Sequence, residues 1–151
     1  MNPLTINTIE ICVKETEEIQ RTPDERFLQQ PISYLKSEIT EFLFIDSPDF
    51  DNIQVDSLVL EVDDMFKTYM ALFGLQGRKK EGEAIRSYIE EKLQHQLTGF
   101  SMSFSDNEGF WEVNMPLDPI EGFNESMPIQ DALQLLHDAL GGLNEMRTEN
   151  Q

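Results

Sequence analysis

Two histidines, one cysteine and 29 carboxylates are the side chains of this sequence that could do chemistry. His95 and His137 sit singly on separate helical patterns. A zinc-binding helix presents paired ligands at helical spacing, as in H-E-x-x-H, and neither histidine has such a partner. Both read as surface or boundary residues. With a single cysteine beside them, no structural zinc site is expected. Cys12, in Ile11-Cys12-Val13-Lys14, could act as a nucleophile only if a base or cations lowered its pKa. One lysine is its only local help, so it reads as a small half-buried core residue. Asp49-Phe50-Asp51 begins like a calcium loop, but Gln54 stands where the loop needs glycine and Leu60 where it needs the closing glutamate. A looser divalent site through Asp46, Asp49 and Asp51 is the residual alternative. Glu17-Glu18, Asp63-Asp64 and Glu90-Glu91 say nothing about acid–base catalysis in a chain this acidic. The G-x-S-x-G elbow, the Walker loop and G-x-G-x-x-G are all missing. No catalytic residue, cofactor or metal ligand is assigned.

The charge carries more information than the motifs. The net charge is −18 and the sequence pI about 4.2. Such a chain repels nucleic-acid phosphates and anionic membranes and attracts basic partners. Residues 46–66 hold seven acids and no base, and residues 98–151 hold ten acids and one base, Arg147. Residues 67–97 reverse the balance, with six bases against four acids. Asp46, Asp49, Phe50, Asp51 and Asp56 are the candidate partner-binding residues. The alternatives are a solvated acidic face, or neutralisation within the fold by Arg78-Lys79-Lys80.

With 151 residues, 39% of them hydrophobic, the chain can form one packed domain without disulfides. The start, Met1-Asn2-Pro3-Leu4, has no secretory character, and no apolar run approaches the ~20 residues of a membrane span. The expected location is cytoplasmic.

The elements that would position these residues follow from periodicity. Ile9, Ile11 and Val13 alternate with polar neighbours, which predicts an N-terminal strand. Thr22-Pro23-Asp24-Glu25 predicts a helix start, interrupted at Pro31. Ile32, Leu35, Ile39 and Phe42 continue at helical spacing. The stretch 53–62 fits either a strand or the start of a helical stripe that includes Met65, Phe66, Tyr69, Leu72 and Phe73. A helix over 63–73 is expected, closed by Gly74 and Gly77. A second helix is expected over 80–97. Phe100, Met102 and Phe104 alternate with serines, a turn follows at Asp106-Asn107-Glu108-Gly109, and Trp111, Val113 and Met115 alternate beyond it. That is a hairpin. Ile129, Ala132, Leu133, Leu136, Leu140 and Leu143 mark a last amphipathic helix over 128–146, and 147–151 should be a frayed polar tail.

Gly74-Leu75-Gln76-Gly77 is a GXXG sequence followed by three bases. Read as strand, helix, GXXG, helix, hairpin and helix, residues 53–146 resemble a KH domain, whose GXXG loop clamps a nucleic-acid backbone. The acidic hairpin and last helix oppose that use. Residues 80–146, read as helix, two strands and helix, resemble the second half of the class I type III secretion chaperones. Those are small, acidic, dimeric α+β proteins. The first half departs from them, because here a strand precedes a long helical region.

The expectation is a single acidic α+β domain over 1–146. A small antiparallel sheet, made of the N-terminal strand and the 100–115 hairpin, would be packed by three to five amphipathic helices. The expected function is non-catalytic: a protein-interaction or regulatory domain that binds a basic protein partner or forms a homodimer, with 128–146 as the shared helix. An acidic secretion-chaperone-like protein, a small enzyme with an unrecognised carboxylate site, and a KH-like RNA-binding domain are the alternatives.

Overall fold

A computed structural model describes residues 4–149, with the side chains of 147–149 left aside. The reading of the N-terminal start at Met1–Pro3 therefore lies outside the described residues. The fold is α+β, but the sheet is larger than the sequence suggests. Seven strands run in the order β2-β1-β3-β4-β5-β7-β6, every neighbour antiparallel. They are β1 (Thr8–Val13), β2 (Ile19–Arg21), β3 (Glu41–Asp46), β4 (Val55–Val62), β5 (Tyr69–Gln76), β6 (Ser101–Ser105) and β7 (Phe110–Pro116). Two helices do most of the covering, α3 (Gly82–Lys92) and α4 (Ile129–Leu140). Shorter ones are α1 (Tyr34–Ser37), α2 (Pro48–Asp51) and α5 (Leu143–Glu149).

The N-terminal strand and the hairpin form as expected, yet they are not adjacent. β3, β4 and β5 stand between them. β3 and β5 run into the stretches 31–43 and 63–73 expected to be helical, and β4 takes the strand alternative of 53–62, which fitted either reading. Over 31–43, the helix closes after one turn at Ser37, and Leu43 and Ile45 then alternate inward with Phe42 and Phe44 outward. Over 63–73, Asp63 ends β4 and its carboxylate accepts from the amides of Met65 and Phe66, which makes a turn. β5 then runs Tyr-Met-Ala-Leu-Phe-Gly-Leu-Gln inside the sheet, between β4 and β7. A central strand with apolar residues on both faces loses its period of two, so its side chains imitate a helical stripe. Gly74 lies within this strand, opposite Asp56 and Glu112. It caps no helix, and the KH reading fails there.

The second expected helix is shorter than 80–97 and ends at Lys92. The last one breaks at Gly141-Gly142 and resumes as α5, which runs to Glu149. Residues 150 and 151 lie outside the described residues.

A single core lies between one sheet face and the helices. Ile9, Ile11, Leu43, Ile45, Leu60 and Phe73 from the strands meet Ile85, Ile89, Ile129, Leu133 and Leu136 from the helices. The apolar stripe of α4 is consumed here: Ile129, Ala132, Leu133, Leu136, Ala139 and Leu140 are all buried in the monomer. It cannot serve as the surface shared by a dimer. Val113 and Met115 are fully buried as expected. Trp111 is half-buried on the same side, where it packs on Gly82 and donates its indole N–H to the Arg78 carbonyl at 3.1 Å. No helix among the described residues is long and apolar enough to cross a membrane.

Candidate functional site: the uncovered face of the sheet

Strand side chains alternate between faces, so the other face is defined by the same register. One row crosses six strands. Glu10 stands opposite Phe44, Phe44 opposite Val59, Val59 opposite Leu72, Leu72 opposite Asn114, and Asn114 opposite Ser101. Phe42, Phe44, Val59 and Leu72 are only half-buried, while their in-facing neighbours are closed off from solvent. These four make an apolar stripe across the middle of the sheet.

The stripe has an acidic border. Glu10, Asp46 and Glu61 stand on the strands β1, β3 and β4, and Asp56 and Glu112 flank Gly74 in the neighbouring row. Hollows overlap along this face. One of about 450 Å³ is lined by Lys14, Glu17, Phe42, Val59, Glu61 and Leu72. A second of about 430 Å³ runs from Val59 and Leu72 over Asn114 to Asp56 and Glu112. It shares Asp56, Gly74, Glu108 and Phe110 with a wider cleft of about 960 Å³ at the sheet end, where Arg78 also contributes. A bulge between Asp56 and Val59 shapes this end. There Ser57 takes a φ of 56°, a left-handed conformation unusual for a residue other than glycine, and both Asp56 and Ser57 turn to solvent.

At the opposite end lies a smaller hollow of about 240 Å³, with Glu61, Met70 and Leu72 in its lining and Phe66 at its rim. Met65 and Phe66, on the β4–β5 turn, are 78% and 65% exposed, more than any other large apolar side chain described. Phe66, which shares that hollow with Met70 and Leu72, extends the apolar stripe beyond the sheet.

Lys14 organises this end. Its ammonium donates to the Val62 carbonyl at 2.6 Å and to Asp64 at 2.9 Å, and stands 3.7 Å from Glu61. Burial pushes the Glu61 carboxyl above its ordinary value. The attraction of Lys14 opposes this without reversing it, and Asp64 and Asp63 add to the rise. The same lysine holds the exposed Asp64 below the usual carboxylate range.

The acids singled out in the sequence divide between three places. Asp46 and Asp56 border the uncovered face. Asp49 is engaged locally: its carboxylate accepts from the Thr5 amide at 2.7 Å, and its carbonyl lies 3.1 Å from His137 Nε2. Asp51 ends α2 at the chain surface. Phe50 is buried at 2% exposure, edge-on to His137, so it anchors α2 in the core and presents no ring to a partner. The basic turn does not reach the acidic segment as a unit, since Lys79 pairs with Asp106 of the β6–β7 turn at 3.4 Å. Lys14, fifty residues upstream of Asp64, pairs with it from a distance that no local pattern could indicate, and the neighbouring Lys67 adds a weaker attraction.

Cys12 is buried at 3% exposure, and burial together with Glu10 pushes its thiol up, away from nucleophilic character. Among the described residues, no group of three or more His, Cys, Asp or Glu is arranged to hold a metal ion. The residues missed by sequence reasoning are Phe44, Val59 and Leu72. Their signal was the alternation within 41–46 and 58–62, masked by helical spacing nearby. No family model, no curated protein and no solved structure matches this chain.

Proposed function

We propose that this protein is a non-catalytic interaction domain that holds a basic, partly apolar segment of a partner protein on the uncovered face of its sheet. The observation that carries the reading is the apolar row Phe44, Val59, Leu72 across the central strands, bordered by Glu10, Asp46, Glu61, Asp56 and Glu112. Contiguous apolar surface rimmed by polar groups marks interaction sites. Complementary charge steers the encounter and selects the partner, and apolar anchors hold it. An acidic chaperone-like protein that shields a basic segment is one form of the same reading.

The test compares two peptides of equal positive charge, one with leucines at helical spacing and one with serines in their place. Fluorescence anisotropy should show the leucine peptide binding at least tenfold more tightly. Leu72→Ser should remove that preference while leaving the weak, salt-sensitive binding of the serine peptide. Equal affinity for both peptides would reject the reading and leave only non-specific attraction to an acidic surface.

Glu61 supports a second reading, an acid–base site. It is a carboxylate of raised pKa in a hollow beside an ammonium group, and such groups concentrate at active sites. Lys14, however, is already committed to Val62 and Asp64, which makes the pair a structural tie.

A further inference from the structure

The two edges of this sheet differ. β2 is three residues long, carries Arg21, and its pairing with β1 shifts between Ile11 and Cys12. Shortness, charge and irregular pairing are the ways edge strands are blunted against further pairing. β6 has none of them. It reads Ser-Met-Ser-Phe-Ser, with no charge and no proline in a chain that is 26% charged. It stays in regular register with β7 along its whole length, and among the described residues β7 is the only strand beside it. Its outer backbone donors and acceptors form a template for another strand.

We infer that β6 pairs with β6 of a second copy, antiparallel, about a two-fold axis through Ser103. Closed two-fold assembly uses the same patch on both subunits. The register centred on Ser103 engages all five residues. It sets Ser101 opposite Ser105 of the second copy, and Met102 opposite Phe104 on the helix-covered side. A net charge of −18 opposes self-association over most of this surface. The uncharged strand is where that opposition is weakest. Just beyond the strand ends the charges become complementary. This register brings Asp106 of one copy opposite Phe100 of the other, and the Arg86 guanidinium lies 5.3 Å from the centre of the Phe100 ring. Each end of the joint therefore brings Asp106, which Lys79 of its own copy already pairs, to the side of the Arg86–Phe100 contact of the other. The product is a fourteen-stranded sheet whose uncovered faces join side by side.

Opposed residues in an antiparallel pair have Cα atoms roughly 4.5–5.5 Å apart, within the roughly 4.4–6.8 Å a disulfide spans. Full-length Ser103→Cys should therefore form a disulfide-linked dimer under mild oxidation. Ser101→Cys or Ser105→Cys alone should link poorly, whereas a mixture of the two should link readily. Cys12 is buried and does not interfere. Ser37→Cys, exposed on α1, reports random collision. Sedimentation equilibrium should show a dimer for the wild type and a monomer for Ser103→Lys with an unchanged melting temperature. Linking of Ser103→Cys no faster than Ser37→Cys, or a wild type that stays monomeric at high micromolar concentration, overturns the inference.

Discussion

Lys14, one residue past the end of β1, reaches across the sheet to stand 3.7 Å from Glu61 on β4, while donating to the Val62 carbonyl and to Asp64. Its side chain is only 19% exposed. Lys14→Met removes both hydrogen bonds and leaves Glu61 half-buried without a counter-ion. Hydrogen bonds to charged groups contribute about 1.5–3 kcal/mol, and the solvent around Asp64 reduces this. The expected loss is roughly 1–2 kcal/mol in urea unfolding, and it should shrink when Glu61→Gln is added.

Glu61→Gln alone should act in the opposite direction. A carboxyl raised on folding holds its proton more tightly in the native state, so stability falls as pH rises from the unfolded value through the folded one. The variant should therefore melt higher than the wild type near neutral pH, and the difference should vanish well below pH 4.5, the ordinary glutamate value. A variant less stable at neutral pH would show that the Lys14 contact outweighs burial.

Tyr34 and Glu41 form a second linkage between elements. The Tyr34 hydroxyl donates to Glu41 Oε1 at 2.7 Å and accepts from Arg21 at 2.7 Å, and Glu41 is 8% exposed. Burial, with Glu41 nearby, holds the Tyr34 phenol above its usual pKa. Tyr34→Phe leaves that carboxylate short of a donor, at an expected cost of about 1–3 kcal/mol. Unchanged chemical denaturation of Tyr34→Phe would show that solvent replaces the hydroxyl.

Gly82 is glycine because Trp111 occupies the space where a β-carbon would go. A Cβ there would lie 2.6 Å from the indole ring. Gly82→Ala should cost about 1–3 kcal/mol, as overpacking does, despite alanine's better helix propensity. Trp111→Ala should cost roughly 2–3 kcal/mol, below the ~3–5 of a fully enclosed aromatic, because one side of the ring meets solvent. In the Trp111→Ala background, Gly82→Ala should become neutral or stabilising. Additive losses in thermal melts would contradict the contact.

Legibility in the sequence followed the environment of each strand. β1 and the β6–β7 hairpin lie towards the sides of the sheet, and their alternation survives in Ile9, Ile11, Val113 and Met115. β5 lies inside the sheet with apolar side chains on both faces, so Tyr69, Leu72 and Phe73 fall at helical spacing by coincidence. The same coincidence conceals the uncovered face, since helical spacing places Leu72 and Phe42 on helices. Acidic character was visible from composition, but its arrangement was not. Asp46 reaches that face by the alternation of β3 and Asp56 beside the bulge of β4, while Phe50, set between two aspartates in the sequence, is buried.

Backbone amide shifts locate directly where a basic, apolar segment settles on this protein. The uniformly labelled full-length protein would be titrated with the leucine-bearing basic peptide and with its serine counterpart, followed by two-dimensional NMR. The leucine peptide should shift the amides of Phe44, Val59, Leu72 and Asn114 and of the Met65–Phe66 turn, saturating at a common affinity. The serine peptide should produce small, scattered, salt-sensitive changes. Saturable shifts confined to α3 and α4, with Phe44, Val59 and Leu72 unmoved, would contradict binding on the sheet.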